Sequence, residues 1–184
     1  MSYQPYRKIL VSLAQDSIRH GLRCNHPLYV ETEQFPDQLV EHRASFVTLQ
    51  KNGQLRGCIG TLEAHRPLVK DIAHNGWSAA FRDPRFKPVD GDELDQLEIF
   101  ISILSKPEPV EFESEQDLLE QIRPGEDGLI LEAAGRRGTF LPSVWESLTE
   151  KRDFLTNLKM KAGLPSHYWS DEIKVMRYTT EYIK

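Results

Sequence analysis

Residues 44–60 read ASFVTLQKNGQLRGCIG, and this stretch decides the first part of the fold. Two extended runs flank Asn52-Gly53, the dipeptide that most strongly favours a two-residue hairpin turn. Such a turn sets the register, because the residues on either side of it, Lys51 and Gln54, pair directly. We therefore predict an antiparallel β-hairpin over this stretch.

The predicted register assigns the hairpin side chains to two faces. Counting outward from the turn places Leu49 opposite Arg56 and Val47 opposite Cys58, and side chains alternate between faces along a strand. The two faces then carry Val47, Leu49, Arg56 and Cys58 on one side and Phe46 and Ile59 on the other. We expect the second face to lie against the core, with Arg56 and Cys58 together on the first, their Cα atoms about 7 Å apart.

Hydrophobic spacing and turn residues predict the other elements. The predicted helices cover residues 5–20, 67–81, 115–123, 142–148 and 150–162, and the predicted strands cover 98–105, a second hairpin over 128–141 that turns near Ala134-Gly135, and 172–180. Strands in hairpins interrupted by helices indicate an α+β fold and not a regular βαβ series.

Composition and motifs narrow the classes of function. The chain has 184 residues, a net charge of −5 and two cysteines, which excludes a disulfide scaffold and a Cys-rich zinc site. The acidic balance disfavours nucleic-acid binding by the isolated chain, and no apolar run is long enough to span a membrane. No HExxH or Walker-type motif is present, so we predict no metal site and no cofactor. The amphipathic N-terminus does not resemble a signal sequence, which predicts a reducing cytoplasm.

Cys58 is the first candidate for chemistry. A guanidinium near a thiol favours the reactive thiolate and can bind an anion, so Arg56 is its predicted partner. Gly57 and Gly60 leave space for a ligand, or for another backbone, to approach. Glu63, just past the hairpin, is the candidate acid–base group. The alternative is that Cys58 packs as a small hydrophobic residue, since no histidine spacing identifies a base for it.

Further arginines are candidates for binding an anion. The segment FRDPRF places Arg82 and Arg85 on either side of Asp83, where their guanidinium groups can bind a carboxylate or a phosphate. Internal ion pairing with Asp83 is the alternative. Arg136 lies in AAGRRG at the tip of the second predicted hairpin, and there the alternative is solvated surface.

Several stretches, in this order and spacing, resemble the AMMECR domain family, whose bacterial and archaeal members are also called AmmeMemoRadiSam system protein A. They are ASFVTLQKNGQLRGCIGTLE, AAFRDPRF, LEIFISILS, RPGEDGLIL and GRRGTFLPSVWE, and the resemblance extends over Phe46–Tyr178. The motif LRGCIG, residues 55–60, is the most distinctive of the family.

The resemblance implies that residues 1–184 form one AMMECR-like domain of two unequal lobes, with largely antiparallel sheets and flanking helices. It places the LRGCIG motif near a cleft between the lobes, and it implies association with a MEMO-like protein and a radical SAM protein. Two hypotheses follow. The chain is an enzyme or enzyme component whose cleft binds a small anionic or nucleotide-like group, or it is a non-catalytic scaffold that docks those partners.

Overall fold

The computed structural model describes residues 2–184, which form two compact units. The first unit comprises the chain up to Leu104 together with Glu181–Lys184, and the second comprises Ser105–Thr180. Each unit combines helices with one four-stranded sheet. The predicted α+β fold is therefore confirmed.

The helices and strands have the following bounds. The helices are α1 (Arg7–Cys24), α2 (Asp37–Val40), α3 (Leu68–Phe81), α4 (Glu115–Gln121) and α5 (Lys151–Lys161). The strands are β1 (Ser45–Lys51), β2 (Gln54–Gly60), β3 (Leu97–Leu104), β4 (Glu108–Val110), β5 (Gly128–Ala133), β6 (Arg136–Phe140), β7 (Lys174–Tyr178) and β8 (Thr180–Ile183). The two antiparallel sheets have the strand orders β2-β1-β3-β8 and β4-β7-β5-β6.

The core of the first unit is built from sheet residues that face α1 and α3. Alternate residues of β1 and β3 are buried, as the period of a strand requires. The helices contribute apolar side chains at helical spacing. Members of this core include Leu10, Ala14, Ile18, Val47, Leu49, Leu68, Ile72, Ile99, Ile101 and Ile103.

The observed hairpin confirms the turn but not the register beyond it. Lys51 pairs with Gln54 as predicted, and Gln50 pairs with Leu55. Leu49, however, pairs with Gly57, so Arg56 is the extra residue of a β-bulge. The predicted pairs Leu49–Arg56 and Val47–Cys58 are therefore wrong by one position.

The bulge also moves Cys58 and Ile59 to the faces opposite to those predicted, and the core lies on the side of the sheet that was predicted to face away from it. Val47 and Leu49 are both 0% exposed, so their face lies against the core. Cys58 pairs with Thr48 on the opposite face, which Phe46 shares. The prediction that the Phe46 face forms the core is wrong, although Ile59 does pack against the core as expected.

Gly57, the residue after the bulge, lies against α3. A Cβ atom at this position would lie 2.1 Å from the carbonyl oxygen of Ala79 in α3. Only glycine lets the backbone of β2 come this close to the helix. Of the two predicted reasons for glycine here, the approach of another backbone is the one observed.

Helix α1 extends one turn beyond its predicted end. Gly21 does not end the helix but lies within it. Its lack of a side chain makes room for the Trp77 ring, since a Cβ here would lie 2.4 Å from that ring. The helix ends instead at Cys24, followed by Asn25 in the left-handed conformation. Neither α1 nor any other helix of residues 2–184 has the length and apolarity that crossing a membrane requires.

The second unit packs α4 and α5 against its own sheet. Trp145 stacks on Phe154 with ring centroids 3.8 Å apart, and its indole N–H donates to the Asp127 carbonyl oxygen at 2.8 Å. The surrounding core includes Leu118, Leu129, Leu131, Leu155, Leu158 and Val175. The predicted second hairpin is confirmed as β5 and β6, with Ala134 and Gly135 at positive φ in the turn.

The predicted strand over residues 172–180 corresponds to β7, and the strand that follows it, β8, was not predicted. Residues 174–178 form β7 in the sheet of the second unit, whereas Thr180–Ile183 form β8 beside β3 in the first. An alternating pattern does not reveal such a change of sheet, because both halves keep the same period of two.

The contact of Gly57 with α3 predicts a large effect of a single methyl group. Gly57→Ala should lower the free energy of unfolding by about 2 kcal/mol or more, since backbone must move to admit the Cβ. Urea denaturation measures the change. Gly91→Ala is the matched control, because no atom lies within 4 Å of its added Cβ, and it should change stability by less than about 0.5 kcal/mol. Equal stability of the two variants would refute the close approach.

Candidate functional site

The candidate site lies on β2, an edge strand of the first sheet. An edge strand has N–H and C=O groups that no neighbouring strand satisfies. At Cys58 these groups bond to the loop that follows α3: the Cys58 N–H donates to Asp83 Oδ2 at 2.9 Å, and the Cys58 carbonyl accepts from Arg85 Nη2 at 3.3 Å. One ion-paired loop thus takes the place of a strand at this position.

Asp83 organises this loop. Its side chain is 2% exposed and accepts from the Arg85 guanidinium at 2.9 Å (Nε) and 2.7 Å (Nη2). The hydrogen bond from Arg85 holds the pKa of Asp83 well below its ordinary value, against the opposing effect of burial. The alternative stated from the sequence, internal ion pairing of this loop, is what the structure contains for Arg85.

The Cys58 side chain lies between Thr48 and the charged loop. It is half-buried, and the Thr48 hydroxyl donates to its Sγ at 3.2 Å. The hydrogen bond to Asp83 raises the pKa of Arg85 against the opposing effect of burial, and the charge of Asp83 raises it further. The Arg85 side chain is still 54% exposed, so an oriented guanidinium that is bonded to the Cys58 backbone reaches an accessible surface.

Arg56 does not share this arrangement. Its guanidinium binds both carboxylate oxygens of Glu93, at 3.1 and 2.8 Å, and also donates to the Lys87 carbonyl at 2.9 Å. The hydrogen bond from Arg56 lowers the pKa of Glu93 to about 2, with a smaller contribution from Lys51. Arg56 is only 15% exposed, so its fork joins the hairpin to the loop after α3.

The remaining predicted residues lie in separate surroundings. A Cβ at Gly60 would lie 2.2 Å from the Phe46 ring, so that ring fills the space beside it. Glu63 lies in the exposed loop after β2, with its carboxylate 3.3 Å from His65. Arg82 is exposed and stacks over the Trp77 ring at 5.1 Å. Arg136 belongs to the second unit, where it donates to the Gly163 carbonyl.

A buried polar cluster around Asp71 escaped the sequence analysis. Asp71 is 1% exposed and accepts from the Ser45 hydroxyl at 2.7 Å and from the Asn75 amide at 2.9 Å, with Arg66 3.3 Å away. Burial raises the pKa of Asp71 above its ordinary value, against these hydrogen bonds and the Arg66 charge. Thr61, directly after β2, also donates to it at 3.2 Å. The available signal was two polar residues four apart on the apolar face of α3.

A second group of residues that the sequence did not predict is a cluster of metal-ligating side chains at the end of α1. His20, Cys24 and His26 have ligand atoms within 4.8 Å of one another, and within residues 2–184 no other set of metal-ligating side chains gathers in this way. The signal in the sequence was HGLRCNH, but the predicted helix end at residue 20 separated its members.

Comparison with known proteins gives one consistent result. A sequence profile described as AMMECR1 matches residues 11–183. Relatives in Methanothermobacter thermautotrophicus and Thermotoga maritima are 39% and 38% identical, each covering 98% of this chain and 97% of the relative. The crystal structure of the uncharacterized protein PH0010 from Pyrococcus horikoshii matches with a TM-score of 0.83 and 33% identity, over 97% of this chain and 91% of that one.

The Arg56–Glu93 pair predicts a pH-dependent stability. The pKa of Glu93 falls from 4.5 to about 2 on folding, so its contribution is complete above 4.5 and is lost as the pH falls toward about 2. Glu93→Gln should cost about 2 kcal/mol of unfolding free energy near neutral pH, and the difference from wild type should shrink below about pH 4. Urea denaturation across this range measures it.

Glu126→Gln is the control for that measurement. Its carboxylate is 63% exposed and pairs with Arg123 at the surface, so removing it should cost less than about 1 kcal/mol. A Glu93→Gln effect that is equally small, or that does not change with pH, would show that the Arg56 fork does not stabilise the fold.

Proposed function

The chain belongs to the AMMECR1 family, and from that premise and the geometry of β2 we propose that it is an enzyme, or a component of one, that binds a small anionic group beside Cys58. The observation that carries the proposal is the half-exposed Arg85 side chain, whose guanidinium is oriented by a buried carboxylate and bonded to the backbone carbonyl of Cys58. Such a pair suits a phosphate or carboxylate ligand.

Preorganisation is the first argument. Arg85 is held at two of its nitrogens, Nε and Nη2, by Asp83, so little side-chain freedom is lost when Nη1 binds an anion. Arg82, three residues earlier in the same loop, is exposed and adds a second positive charge. Asp83 positions the guanidinium of Arg85, and Arg82, which stacks over the Trp77 ring, adds to the positive charge of the loop.

The thiol is the second argument. Nucleophilic cysteines occur in electropositive, partly exposed surroundings, and Cys58 is half-buried beside Arg85. In this proposal Cys58 contacts the bound group and Arg85 binds its charge. Arg56 is left out, because its guanidinium is committed to Glu93. Glu63 stays the proposed acid–base residue, and the proposed partners are the MEMO-like and radical SAM proteins that the family resemblance implies.

A scaffold function is the second candidate, and one observation favours it. The tip of the first hairpin presents Leu55, which is 43% exposed, beside the motif. An exposed apolar residue on a rigid hairpin is suited to docking a partner protein. In that case Cys58 only packs, and the MEMO-like or radical SAM protein binds the surface around Leu55.

Protection of Cys58 from alkylation tests the anion site. In a Cys24→Ser background, where Cys58 is the one remaining cysteine, millimolar inorganic phosphate should slow iodoacetamide labelling several-fold compared with potassium chloride of equal ionic strength. Arg85→Gln should abolish the protection and Arg85→Lys should retain part of it, because lysine keeps the charge but not the fork. Mass spectrometry measures the labelled fraction. Arg152→Gln, in the second unit, is the matched control.

The outcomes separate the two functions. No protection by phosphate or by adenosine monophosphate, at any accessible concentration, would reject the anion site. The scaffold function predicts instead that Leu55→Glu abolishes co-elution with a MEMO-like or radical SAM partner while Cys58→Ser leaves it unchanged. Loss of activity in Cys58→Ser with partner binding intact would favour the enzyme.

A further inference from the structure

Three side chains that bind metals well meet at the C-terminal end of α1, within the first unit. His20 and Cys24 belong to the last turns of the helix, and His26 follows Asn25. Their ligand atoms all lie within 4.8 Å of one another. We propose that His20, Cys24 and His26 form a binding site for a first-row divalent metal of the zinc type. This inference does not depend on the proposed function of Cys58.

Helix geometry brings the first two ligands together. Residues four apart are neighbours on one face of an α-helix, so His20 and Cys24 project side by side. Asn25 then adopts φ 55 and ψ 30, and its N–H donates to the Gly21 carbonyl at 2.9 Å. This left-handed residue turns the chain back, and His26 lies edge-on to His20 with ring centroids 4.7 Å apart.

The segment that carries His26 is held from its other side as well. The N–H of Leu28 donates to the Ser17 hydroxyl at 3.0 Å, and this buried hydroxyl donates to the Ala73 carbonyl at 2.6 Å. His26 therefore lies between two anchored points of the backbone. Because the backbone is already fixed, binding a metal requires only side-chain adjustment.

The distances fit tetrahedral coordination. Nε2 of His20 and Nδ1 of His26 are 3.3 Å apart. Two imidazole nitrogens at ordinary zinc distances in a tetrahedron are also about 3.3 Å apart, and a thiolate lies about 3.6 Å from each. The Cys24 sulfur therefore needs to move by no more than about 1.3 Å, which an exposed side chain achieves by rotation.

The Nδ1 atom of His26 also lies 2.9 Å from the Pro27 carbonyl oxygen. In the metal-free protein this oxygen is the natural acceptor for a proton on Nδ1. Metal binding at Nδ1 requires the other tautomer, with the proton on Nε2. The neutral imidazole has both tautomers available, so the contact does not prevent coordination.

The donor set selects the class of metal. Two imidazoles and a thiolate suit zinc, cobalt and copper, whereas magnesium and calcium require oxygen ligands. The C-terminal end of a helix also favours a cation. Three protein ligands leave a fourth position open, and Cys24 and His26 are exposed, so a water or a substrate atom can occupy it.

Titration of the full chain with cobalt and zinc tests the site. After treatment with a chelator, one equivalent of cobalt(II) should produce intense tetrahedral ligand-field bands and a thiolate-to-cobalt charge-transfer band, and zinc should displace it. Cys24→Ser should remove the charge-transfer band, and His20→Ala or His26→Ala should each weaken zinc binding at least about tenfold by calorimetry. Thermal unfolding without metal confirms that each variant is folded.

Two control variants change residues of the same types, a cysteine and a histidine, outside the proposed site. Cys58→Ser and His167→Ala change the other cysteine and an exposed histidine of the second unit, and both should bind cobalt and zinc as the wild type does. The site is rejected if the charge-transfer band follows Cys58, if zinc affinity is unchanged in both Cys24→Ser and His26→Ala, or if zinc binds more weakly than about millimolar.

Discussion

The unsatisfied edge of β2 is the constraint around which the first unit is organised. This edge has no neighbouring strand, and the loop after α3 satisfies it at Cys58 through Asp83 and Arg85. Two other residues of the LRGCIG motif also connect β2 to its surroundings. Gly57 admits the backbone of α3, and Arg56 joins the hairpin to Glu93. The LRGCIG motif therefore has a structural role, in which it attaches an edge strand to a helix and a loop.

The proposed anion binding depends on the attachment of β2 to the loop through Asp83 and Arg85. A carboxylate buried to hold the loop must be compensated by a cation, and the cation chosen is a guanidinium that reaches the surface. Its position beside Cys58 follows from the bond to the Cys58 carbonyl. Asp83 and Arg85 thus close the sheet edge and hold an exposed guanidinium beside the backbone of Cys58. A structural role and a binding role for Arg85 are compatible, because the bonds to Asp83 and Cys58 use Nε and Nη2 and do not involve Nη1.

Local signals in the sequence were sufficient for the turn at Asn52-Gly53, the second hairpin and most of the helices. They were not sufficient where the local structure involves contact with an element that is distant in the sequence. Gly57, next to the bulge at Arg56, lies against α3, and Gly21, where the helix was predicted to end, lies against the ring of Trp77. The pairing of Asp83 with Arg85 was one of two alternatives, because neighbouring charges do not reveal whether they bind each other or a ligand. The Glu93 partner of Arg56 lies 37 residues away, beyond any pattern.

The division of the C-terminal segment between two sheets has a consequence for synthesis on the ribosome. Strands β1 to β3 are complete by Leu104, but β8, which covers the free edge of β3, is made only after the whole of the second unit. Until then the nascent first unit exposes a β3 edge able to pair with other chains. The second unit is a continuous segment and has no such delay. The second unit can therefore fold before β8 pairs with β3 and completes the first unit. The two units are then completed in the opposite order to that in which their first residues are translated.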